Sequence, residues 1–458
     1  MKPITIEKFA EVINAEIIGQ VKGQIDGITI DSRTVKPGDA FFAIKGENYD
    51  GHNFAAQASK TATCVVVDKD IKIDSAVIIL KTKNTIAALG QAAKYIREIS
   101  DYKVIAITGA AGKTTTRNMI HHVLNGYFKC HQAEKSFNNN IGLPLTLLKA
   151  PEDSEIVIAE IGTNNPGEIE PLAKIAAPDI GLITNVFGVH LAGFGNIEAI
   201  KKEKAAISKG INPGGKLIIN SQTEGIINHC QTDNIEIITF GQDSDCDVFA
   251  EDVKISTTHS QFRIDGIDVH LPLIGKGNLE NAIAAWAVCK SMGITAVQFA
   301  ERIKTAIAMK MRTEVINIGK AVLINDCYNA NPASMENALD ILALLAKEKK
   351  ARPVFICGPM AELGDDSTKY HRLLGEKVAE KQISLLLTIE GDSAETAKAA
   401  QKGANGKISA EVFGNTETLC HNLEKFVRAD DIVLVKASRN ARFETVSEKL
   451  KYILNRTH

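Results

Sequence analysis

Short apolar runs alternate with segments of helical periodicity through most of this 458-residue chain. The runs "KVIAIT", "EIVIAE" and "DIGLIT" each lie next to a segment in which apolar residues recur every three to four positions. Alternation of this kind favours a mainly parallel sheet with helices covering both of its faces. We therefore predict an α/β protein.

Three regions differ in their patterns. The first contains short strand-like runs such as "DAFFAI" and "CVVVD", the second carries the alternation and becomes richer in strands from about 235 to 273, and a third strand–helix series starts near 311. The predicted domains are 1–81, 82–310 and 311–458. We expect a small α/β domain, a central mainly parallel sheet and a third α/β domain.

Composition excludes several classes of protein. The formal net charge of -2 gives no reason to expect binding to nucleic acid. No apolar run reaches the ~18 residues of a membrane span, and charges interrupt the start of the chain where a signal peptide would be apolar. The eight cysteines form no CxxC pair, so neither disulfides nor a zinc cluster is expected. A reducing cytoplasm is the predicted setting.

The stretch "AITGAAGKTTT" at 106–116 combines an apolar strand, a glycine turn and a helix that is predicted to start at Lys113. Backbone N–H groups of such a turn can hold phosphate, with Lys113 on the β- and γ-phosphates and the Thr114 hydroxyl on Mg²⁺. The alternative is an ordinary strand–helix turn, which the preceding apolar strand disfavours. The predicted nucleotide-binding positions are Gly109, Ala110, Ala111, Gly112, Lys113, Thr114 and Thr115.

Three downstream residues are candidates for binding metal. Glu160 ends a predicted strand at the edge where α/β sheets bind ligands, although it could instead form a cap or a salt bridge. His190 follows another strand end, where a structural role is the alternative. Lys204 falls in the apolar stripe of Ile197, Ile200 and Ile207. A buried lysine can lose its charge and bind CO₂ as a carbamate, whereas periodicity alone favours an apolar stem with its ammonium in water.

Several motifs together resemble those of the Mur ligase family over nearly the whole chain. They include the shortened GxxGKTT loop, "SFNNNIGLPLTLL", "AEIGTNNPGEI" and "GNLENAIAA". The segment "INDCYNANPASMENAL" is similar to the signature of the D-Ala-D-Ala-adding branch, the MurF type. The Asp-Asn-Pro-Arg motif of the diaminopimelate-adding branch is absent. The resemblance implies three domains: one for a UDP-linked substrate, a central P-loop ATPase-like one, and a Rossmann-like one for the dipeptide.

The same resemblance assigns roles to individual residues. It implies catalytic roles for Lys113, Glu160, His190, Lys204 and Arg312. It places ATP near Asn278, Asn281, Arg312 and Asp326, and the UDP-substrate near Ser32, Arg33, Lys45, Gly46, Asn138 and Asn139. It places D-Ala-D-Ala near Tyr328, Asn329 and Asn331, and it implies Mg²⁺, at two sites, on Thr114, Glu160, His190 and carbamylated Lys204. His371, Lys436 and Ser438 lie in further matching segments.

Some positions depart from the family pattern. Gly277 stands where a histidine is common, Ala206 where many relatives have a glutamate, Pro359 where an aspartate is usual, and Asn325 where a first aspartate is frequent. None of these positions is assigned to the chemistry.

The expected reaction is ATP-dependent amide-bond formation between UDP-MurNAc-tripeptide and D-Ala-D-Ala, which proceeds through an acyl phosphate. We expect a monomer with small-molecule substrates and a hinge near 309–313 that closes the site. The alternatives are another Mur ligase or a folylpolyglutamate synthase with a different amine, and a nucleotide-dependent switch that ligates nothing. The "DSRTVKPGDAFFAIKG" segment disfavours the folate enzyme, "YNANP" disfavours other Mur ligases, and a second metal site disfavours a switch.

Overall fold

A computed structural model describes residues 1–73, 77–188 and 191–456. The chain forms two compact units and passes between them more than once. The first unit comprises 1–109, 123–184 and 201–239, and the second comprises 110–122, 185–200 and 240–458. The domain boundaries expected after 81 and after 310 remain predictions.

Helices and strands alternate one by one between residues 85 and 183, whereas several strands follow one another directly before residue 85. The strands are β1 (Ile4–Thr5), β2 (Glu16–Ile18), β3 (Gln24–Ile25), β4 (Gly27–Thr29), β5 (Asp39–Phe42), β6 (Cys64–Val67), β7 (Ile78–Lys81), β8 (Lys103–Thr108), β9 (Cys130–Gln132), β10 (Ile156–Glu160), β11 (Ile180–Ile183), β12 (Lys216–Asn220) and β13 (Glu236–Gly241). The helices over the same stretch of sequence are α1 (Ile6–Val12), α2 (Ala55–Ala58), α3 (Thr85–Glu98), α4 (Lys113–Leu124), α5 (Gly142–Leu148), α6 (Ile169–Ala176), α7 (Leu191–Phe194) and α8 (Ile197–Ala205). Of these helices, α7 and most of α4 belong to the second unit.

The main sheet of the first unit has the order β9-β10-β8-β11-β12, with β13 beyond β12. Each neighbouring pair from β9 to β12 in this order is parallel, as the alternating pattern predicts. Glu160 pairs with Ile107 and Ile183 pairs with Thr108, so β10, β8 and β11 end together. The carboxyl edge of this sheet therefore carries both Glu160 and the start of the glycine turn.

A second sheet is built from the N-terminal segment in the order β2-β7-β6-β5-β4. Its strands are parallel except for β2, which runs antiparallel to β7. Side chains on both faces of β5 and β6 are buried, including Phe41, Phe42, Val65 and Val66. This burial explains why "DAFFAI" and "CVVVD" are continuous apolar runs rather than alternating ones.

The second unit contains the remaining elements. Its strands are β14 (Val248–Phe249), β15 (Glu251–Ile255), β16 (Ser260–Ile264), β17 (Ile267–Leu271), β18 (Glu314–Ile318), β19 (Ala321–Asn325), β20 (Pro353–Cys357), β21 (Leu385–Ile389), β22 (Ser409–Phe413) and β23 (Ile432–Lys436). Its helices are α9 (Lys276–Ser291), α10 (Ala296–Ile303), α11 (Pro332–Lys349), α12 (Ser367–Glu380), α13 (Ala394–Gly403), α14 (Thr416–Asn422) and α15 (Glu444–Arg456).

The C-terminal sheet has the order β18-β19-β23-β20-β21-β22, in which only β18 pairs antiparallel among the described strands. One apolar core lies under α11, α12 and α13, and another lies under α15 on the other face. The third strand–helix series predicted from near 311 is present: its apolar runs "AVLIND", "RPVFICG", "SLLLTIEG" and "DIVLVKA" form β19, β20, β21 and β23. Strand β22 has no such signal because its side chains are mostly exposed at the sheet edge.

Among the described residues, no helix combines the length and the apolar character that crossing a membrane requires.

Candidate active site

The glycine turn after β8 has a backbone that only glycine adopts without strain. Gly109 has φ 146° and Gly112 has φ 81°, both on the positive side. A Cβ on Gly112 would also collide with the side chain of Asn281. Helix α4 begins at Lys113, as predicted, so its first N–H groups follow the turn directly.

Asn185 fixes the two alanines of the turn. Its backbone carbonyl accepts a hydrogen bond from the N–H of Ala110 at 3.0 Å, and its Oδ1 accepts one from the N–H of Ala111 at 2.8 Å. Sequence reasoning missed this residue. Its only signal was its place two residues after the last residue of β11, at the sheet edge that also carries the turn.

Two of the predicted nucleotide residues meet helix α4 within the second unit. Asn281 Oδ1 accepts a hydrogen bond from the Thr116 hydroxyl at 3.1 Å. Arg312 Nη2 donates to Thr114 Oγ1 at 3.1 Å, although 198 positions separate the two residues in sequence. The structure thus brings together Thr114, expected to bind Mg²⁺, and Arg312, which the family resemblance places near ATP. Asn278 instead donates from its Nδ2 to the carbonyl of Ile274.

Tyr328 lies against the guanidinium of Arg312. The Arg312 Cζ is 4.0 Å from the ring centroid, a distance at which the ring face attracts a cation. The N–H of Tyr328 donates to the carbonyl of Met311 at 3.1 Å. The "YNANP" segment and the segment carrying Arg312 are therefore neighbours.

Asp326 forms a buried ion pair. Its Oδ2 lies 2.6 Å from Lys436 Nζ, and both side chains are nearly inaccessible to solvent. Its Oδ1 accepts the N–H of Thr313 at 2.9 Å, and Lys436 also donates to the carbonyl of Asn329 at 3.1 Å. Asp326 thus joins β19, β23 and the Arg312 segment. Its expected contact with ribose remains a prediction.

The rest of the "YNANP" signature starts a helix. Asn331 is the N-cap of α11, with its Oδ1 accepting the N–H of Ser334 at 2.8 Å, and Pro332 is the first helical residue. Asn329 is exposed beside this start. Contacts of Asn329 and Asn331 with D-Ala-D-Ala remain predictions.

In the first unit, Glu160 is fully buried at the end of β10. Two residues later, the N–H of Gly162 donates to the carbonyl of Asn138 at 2.8 Å, and Gly162 packs so closely on the Asn138 side chain that a Cβ would not fit. Asn139 Oδ1 accepts the N–H groups of Ile141 and Gly142 at the start of α5. The "NNN" segment and the segment after Glu160 are therefore packed together.

Lys204 is 1% exposed, so its ammonium does not reach bulk water and the interpretation of a solvated head group is wrong. The stripe that predicted its burial holds for Ile200 and Ile207. It is wrong for Ile197, which is the first residue of α8 and is 38% exposed.

The neighbouring Glu203 is a buried carboxylate that sequence reasoning missed. It accepts the N–H groups of Gly167 at 2.7 Å and Ile169 at 2.8 Å. Gly167 lies in the loop after Glu160 and Ile169 is the first residue of α6, so Glu203 holds the end of that loop against the start of the helix. The predicted metal ligand His190 lies outside the described residues. Within the described ranges there is no group of three or more His, Cys, Asp or Glu side chains arranged to hold a metal.

The predicted UDP-substrate residues of the N-terminal segment lie in solvent-facing loops. Arg33 pairs with Asp31 at 2.7 Å and lowers the pKa of that carboxyl to about 2. Ser32 donates to Gln57 Oε1 at 3.4 Å, and the N–H of Gly46 donates to the carbonyl of Tyr49 at 2.9 Å. Lys45 is exposed. Their contacts with substrate remain predictions.

Comparison with known proteins places this chain in a family. Residues 24–103 match the Mur ligase family catalytic domain, 107–289 the Mur ligase middle domain, and 311–439 the glutamate ligase domain of Mur ligases. The chain is 32% identical to a UDP-N-acetylmuramoyl-tripeptide–D-alanyl-D-alanine ligase of Bacillus subtilis, with 97% of this chain and 98% of that protein covered. The Escherichia coli protein of the same name is 29% identical over 98% of this chain and 99% of its own length.

A solved structure has the same fold. A crystal structure of MurF from Acinetobacter baumannii superimposes with a TM-score of 0.89 at 30% identity, and it covers 99% of both chains. The predicted α/β fold class is thereby confirmed. Three family domains match, and relatives align over almost the full length of the chain, which also has the family's glycine turn. The chain therefore belongs to the Mur ligase family.

Proposed function

We propose that this protein is an ATP-dependent ligase that adds D-Ala-D-Ala to UDP-MurNAc-tripeptide, giving UDP-MurNAc-pentapeptide, ADP and phosphate for peptidoglycan synthesis. The observation that carries the proposal is the glycine turn with Arg312 on Thr114, a phosphate-handling arrangement in a chain whose relatives are named for this ligation. The "YNANP" segment next to Arg312 supports the dipeptide as the incoming amine.

The chemistry needs an activated carboxyl group. A carboxylate oxygen of the tripeptide would attack the γ-phosphorus of ATP, and the bond to ADP would break. The amine of D-Ala-D-Ala would then attack the carbonyl carbon of the acyl phosphate. The amide C–N bond forms, the C–O bond to phosphate breaks, and the amine gives up a proton.

The residues of the site supply charge and position for these steps. Lys113, at the start of α4, would bind the β- and γ-phosphates, and Arg312 would neutralise charge that develops on the transferred phosphoryl group. The first N–H groups of α4 add the positive end of the helix dipole. Asn281, which accepts a hydrogen bond from Thr116 of α4, would act on the adenine side.

The oxygen donors of the chain fit magnesium. The buried carboxylate of Glu160 and the hydroxyl of Thr114 are the hard ligands that Mg²⁺ prefers. His190 and a carbamate on Lys204 would hold a second ion. When bound, the ions would lower the charge of the phosphate oxygens.

The carbamate on Lys204 has its own test. The buried amine would lose a proton and add CO₂, because burial disfavours the ammonium form. We expect ¹³C-bicarbonate to give a carbamate NMR signal in the wild type and in a Lys202→Met control, which changes an exposed lysine of the same helix. The signal should be absent in Lys204→Met. A signal of equal size in Lys204→Met would place the carbamate elsewhere.

The UDP-linked substrate would be bound by residues of the N-terminal segment and of the "NNN" segment: Ser32, Arg33, Lys45, Gly46, Asn138 and Asn139. Tyr328, Asn329 and Asn331 would lie on the dipeptide side, and Asp326 would lie near the ribose. The substrates are small molecules, and we propose a monomer.

The reaction is tested by phosphate release from Mg-ATP with UDP-MurNAc-tripeptide, in the presence and absence of D-Ala-D-Ala. We expect release to need both acceptors and the product to have the mass of the pentapeptide. Release that a single amino acid supports equally well would indicate another Mur ligase reaction. Turnover that depends on no acceptor would contradict the ligase and favour a nucleotide-dependent switch.

A further inference from the structure

The segment that carries Arg312 is held in a strained shape by carboxylates on both sides. Met311 has φ 61° and Thr313 has φ 49°, which L side chains rarely adopt and which is least suited to a β-branched residue such as threonine. The N–H of Met311 donates to Glu314 Oε2 at 3.0 Å, and the N–H of Thr313 donates to Asp326 Oδ1 at 2.9 Å. Backbone strain persists only where its surroundings hold it in place.

Asn325 holds the first of these carboxylates. It lies opposite Glu314 in the pairing of β18 with β19, and its Nδ2 donates to Glu314 Oε2 at 2.8 Å. The same oxygen of Glu314 thus accepts both the amide of Asn325 and the N–H of Met311. Asp326 is held separately, by Lys436.

The chemistry of Asn325 is fixed by its other contacts. Its Oδ1 accepts hydrogen bonds from Ser447 Oγ at 2.9 Å and from Cys327 Sγ at 3.0 Å, and the residue is 2% exposed. The oxygen therefore faces donors and the NH₂ group faces a carboxylate. An aspartate at this position would bring two carboxylates together without a hydrogen atom to share between them.

We propose that Glu314 and Asn325 are positioning residues, which hold Arg312 at the phosphate site by fixing the backbone N–H that precedes it. Neither side chain is required to touch a substrate. The proposal rests on the proposed function only for the identity of the group that Arg312 meets, the γ-phosphate. The proposal also explains why residue 325 is an asparagine in this chain, where a first aspartate is frequent in the family. Its partner, Glu314, is an anion, and an amide can donate a hydrogen bond to it.

An exchange of the two functional groups tests the pair. Asn325→Asp alone should lower kcat about 10- to 100-fold, because small displacements of a positioned group cost that much. In the double variant Glu314→Gln/Asn325→Asp, an amide N–H that faces the new carboxylate also lies opposite the N–H of Met311, because one oxygen of Glu314 accepts both groups in the wild type, so kcat should stay low. Glu314→Gln alone keeps an oxygen for both donors and should lose less than Asn325→Asp. The KM for D-Ala-D-Ala should stay unchanged in all three.

A control variant separates positioning from stability. Arg352 binds Asp431 through two hydrogen bonds in the same unit, at 2.8 and 2.7 Å, and neither residue contacts the Arg312 segment. Arg352→Lys should lower the unfolding temperature without lowering kcat at a temperature where the protein is folded. If Glu314→Gln alone is as slow as Asn325→Asp although it is folded, if the double variant recovers the kcat of the wild type, or if Arg352→Lys loses kcat equally, the positioning role is wrong.

Nucleotide binding separates this inference from the proposed function. The affinity for a non-hydrolysable ATP analogue relative to the affinity for ADP, measured by calorimetry without any acceptor, should fall in Asn325→Asp and stay near the wild-type value in Glu314→Gln. If that pattern appears although no acceptor supports turnover, the positioning role stands and the ligase proposal fails. If turnover needs both acceptors but the ratio does not change in Asn325→Asp, the positioning role fails alone.

Discussion

At the scale of single residues, both backbone conformation and the space left by neighbouring side chains require glycine in the glycine turn after β8. Gly112 combines a positive φ with a neighbour, Asn281, that leaves no room for a side chain. Gly293 has a similar φ of 85° but nothing lies within 4 Å of the place a Cβ would occupy. A side chain at Gly293 would therefore cost only backbone strain, whereas a side chain at Gly112 would also collide with Asn281.

We predict that Gly112→Ala weakens binding of an ATP analogue at least about tenfold, because Asn281 must move away from the turn and from Thr116. Gly293→Ala should lower the free energy of unfolding by about 1 kcal/mol, the cost of a non-glycine residue at positive φ, and leave nucleotide affinity unchanged. Calorimetric titration and thermal unfolding measure the two effects. Equal affinity in wild type and Gly112→Ala would show that Asn281 does not need its place against the turn.

At the scale of elements, α12 is attached to the loop after β20 by a buried histidine. His371 Nε2 accepts the N–H of Met360 at 3.2 Å, and its Nδ1 is 3.0 Å from Thr396 Oγ1 on α13. Because Nε2 accepts, Nδ1 carries the proton and donates to Thr396. Burial lowers the pKa of His371 from its ordinary value of 6.5 to about 4.

This lowered pKa predicts a loss of stability in acid. The unfolded chain takes up the proton first as pH falls, so the contribution of His371 is complete above pH 6.5 and is lost between pH 6.5 and about 4. The loss amounts to about 3 kcal/mol. The unfolding free energy of the wild type should therefore fall more steeply over this range than that of His371→Gln, which stays neutral. Parallel curves would exclude His371 as the cause.

At the scale of the whole molecule, the expected hinge at 309–313 remains a prediction. Water must be kept from an acyl phosphate, and closing the site around bound substrates is a common way to do so. The predicted hinge coincides with the strained residues around Arg312. A bound nucleotide that contacts Arg312 would therefore act on the same segment.

We predict that an ATP analogue together with UDP-MurNAc-tripeptide lowers the radius of gyration measured by small-angle scattering. Nucleotide should have a smaller effect in Arg312→Met, which keeps an unbranched apolar stem but removes the charged guanidinium. Identical scattering with and without ligands would count against a closing motion.

The sequence alone determined where the buried strands lie, where the glycine turn follows β8 and where helix α4 starts. Buried strands are continuous apolar runs, the glycine turn has its own pattern, and Lys113 starts a helix, because these features depend on near neighbours in the chain. The edge strand β22 was missed for the same reason, since an exposed strand carries no apolar run. Assignment of Arg312 and the "YNANP" residues needed the family resemblance.

Only the tertiary structure decided which distant groups meet. Asn185 on the turn, Glu203 on the loop after Glu160, the full burial of Lys204, and the Glu314–Asn325 pair beside Arg312 depend on which strands become neighbours and in which register. A polar residue at a strand end has the same local pattern whether it binds a ligand, caps a loop or positions another residue. Its partner distinguishes these roles, and the partner comes from elsewhere in the chain.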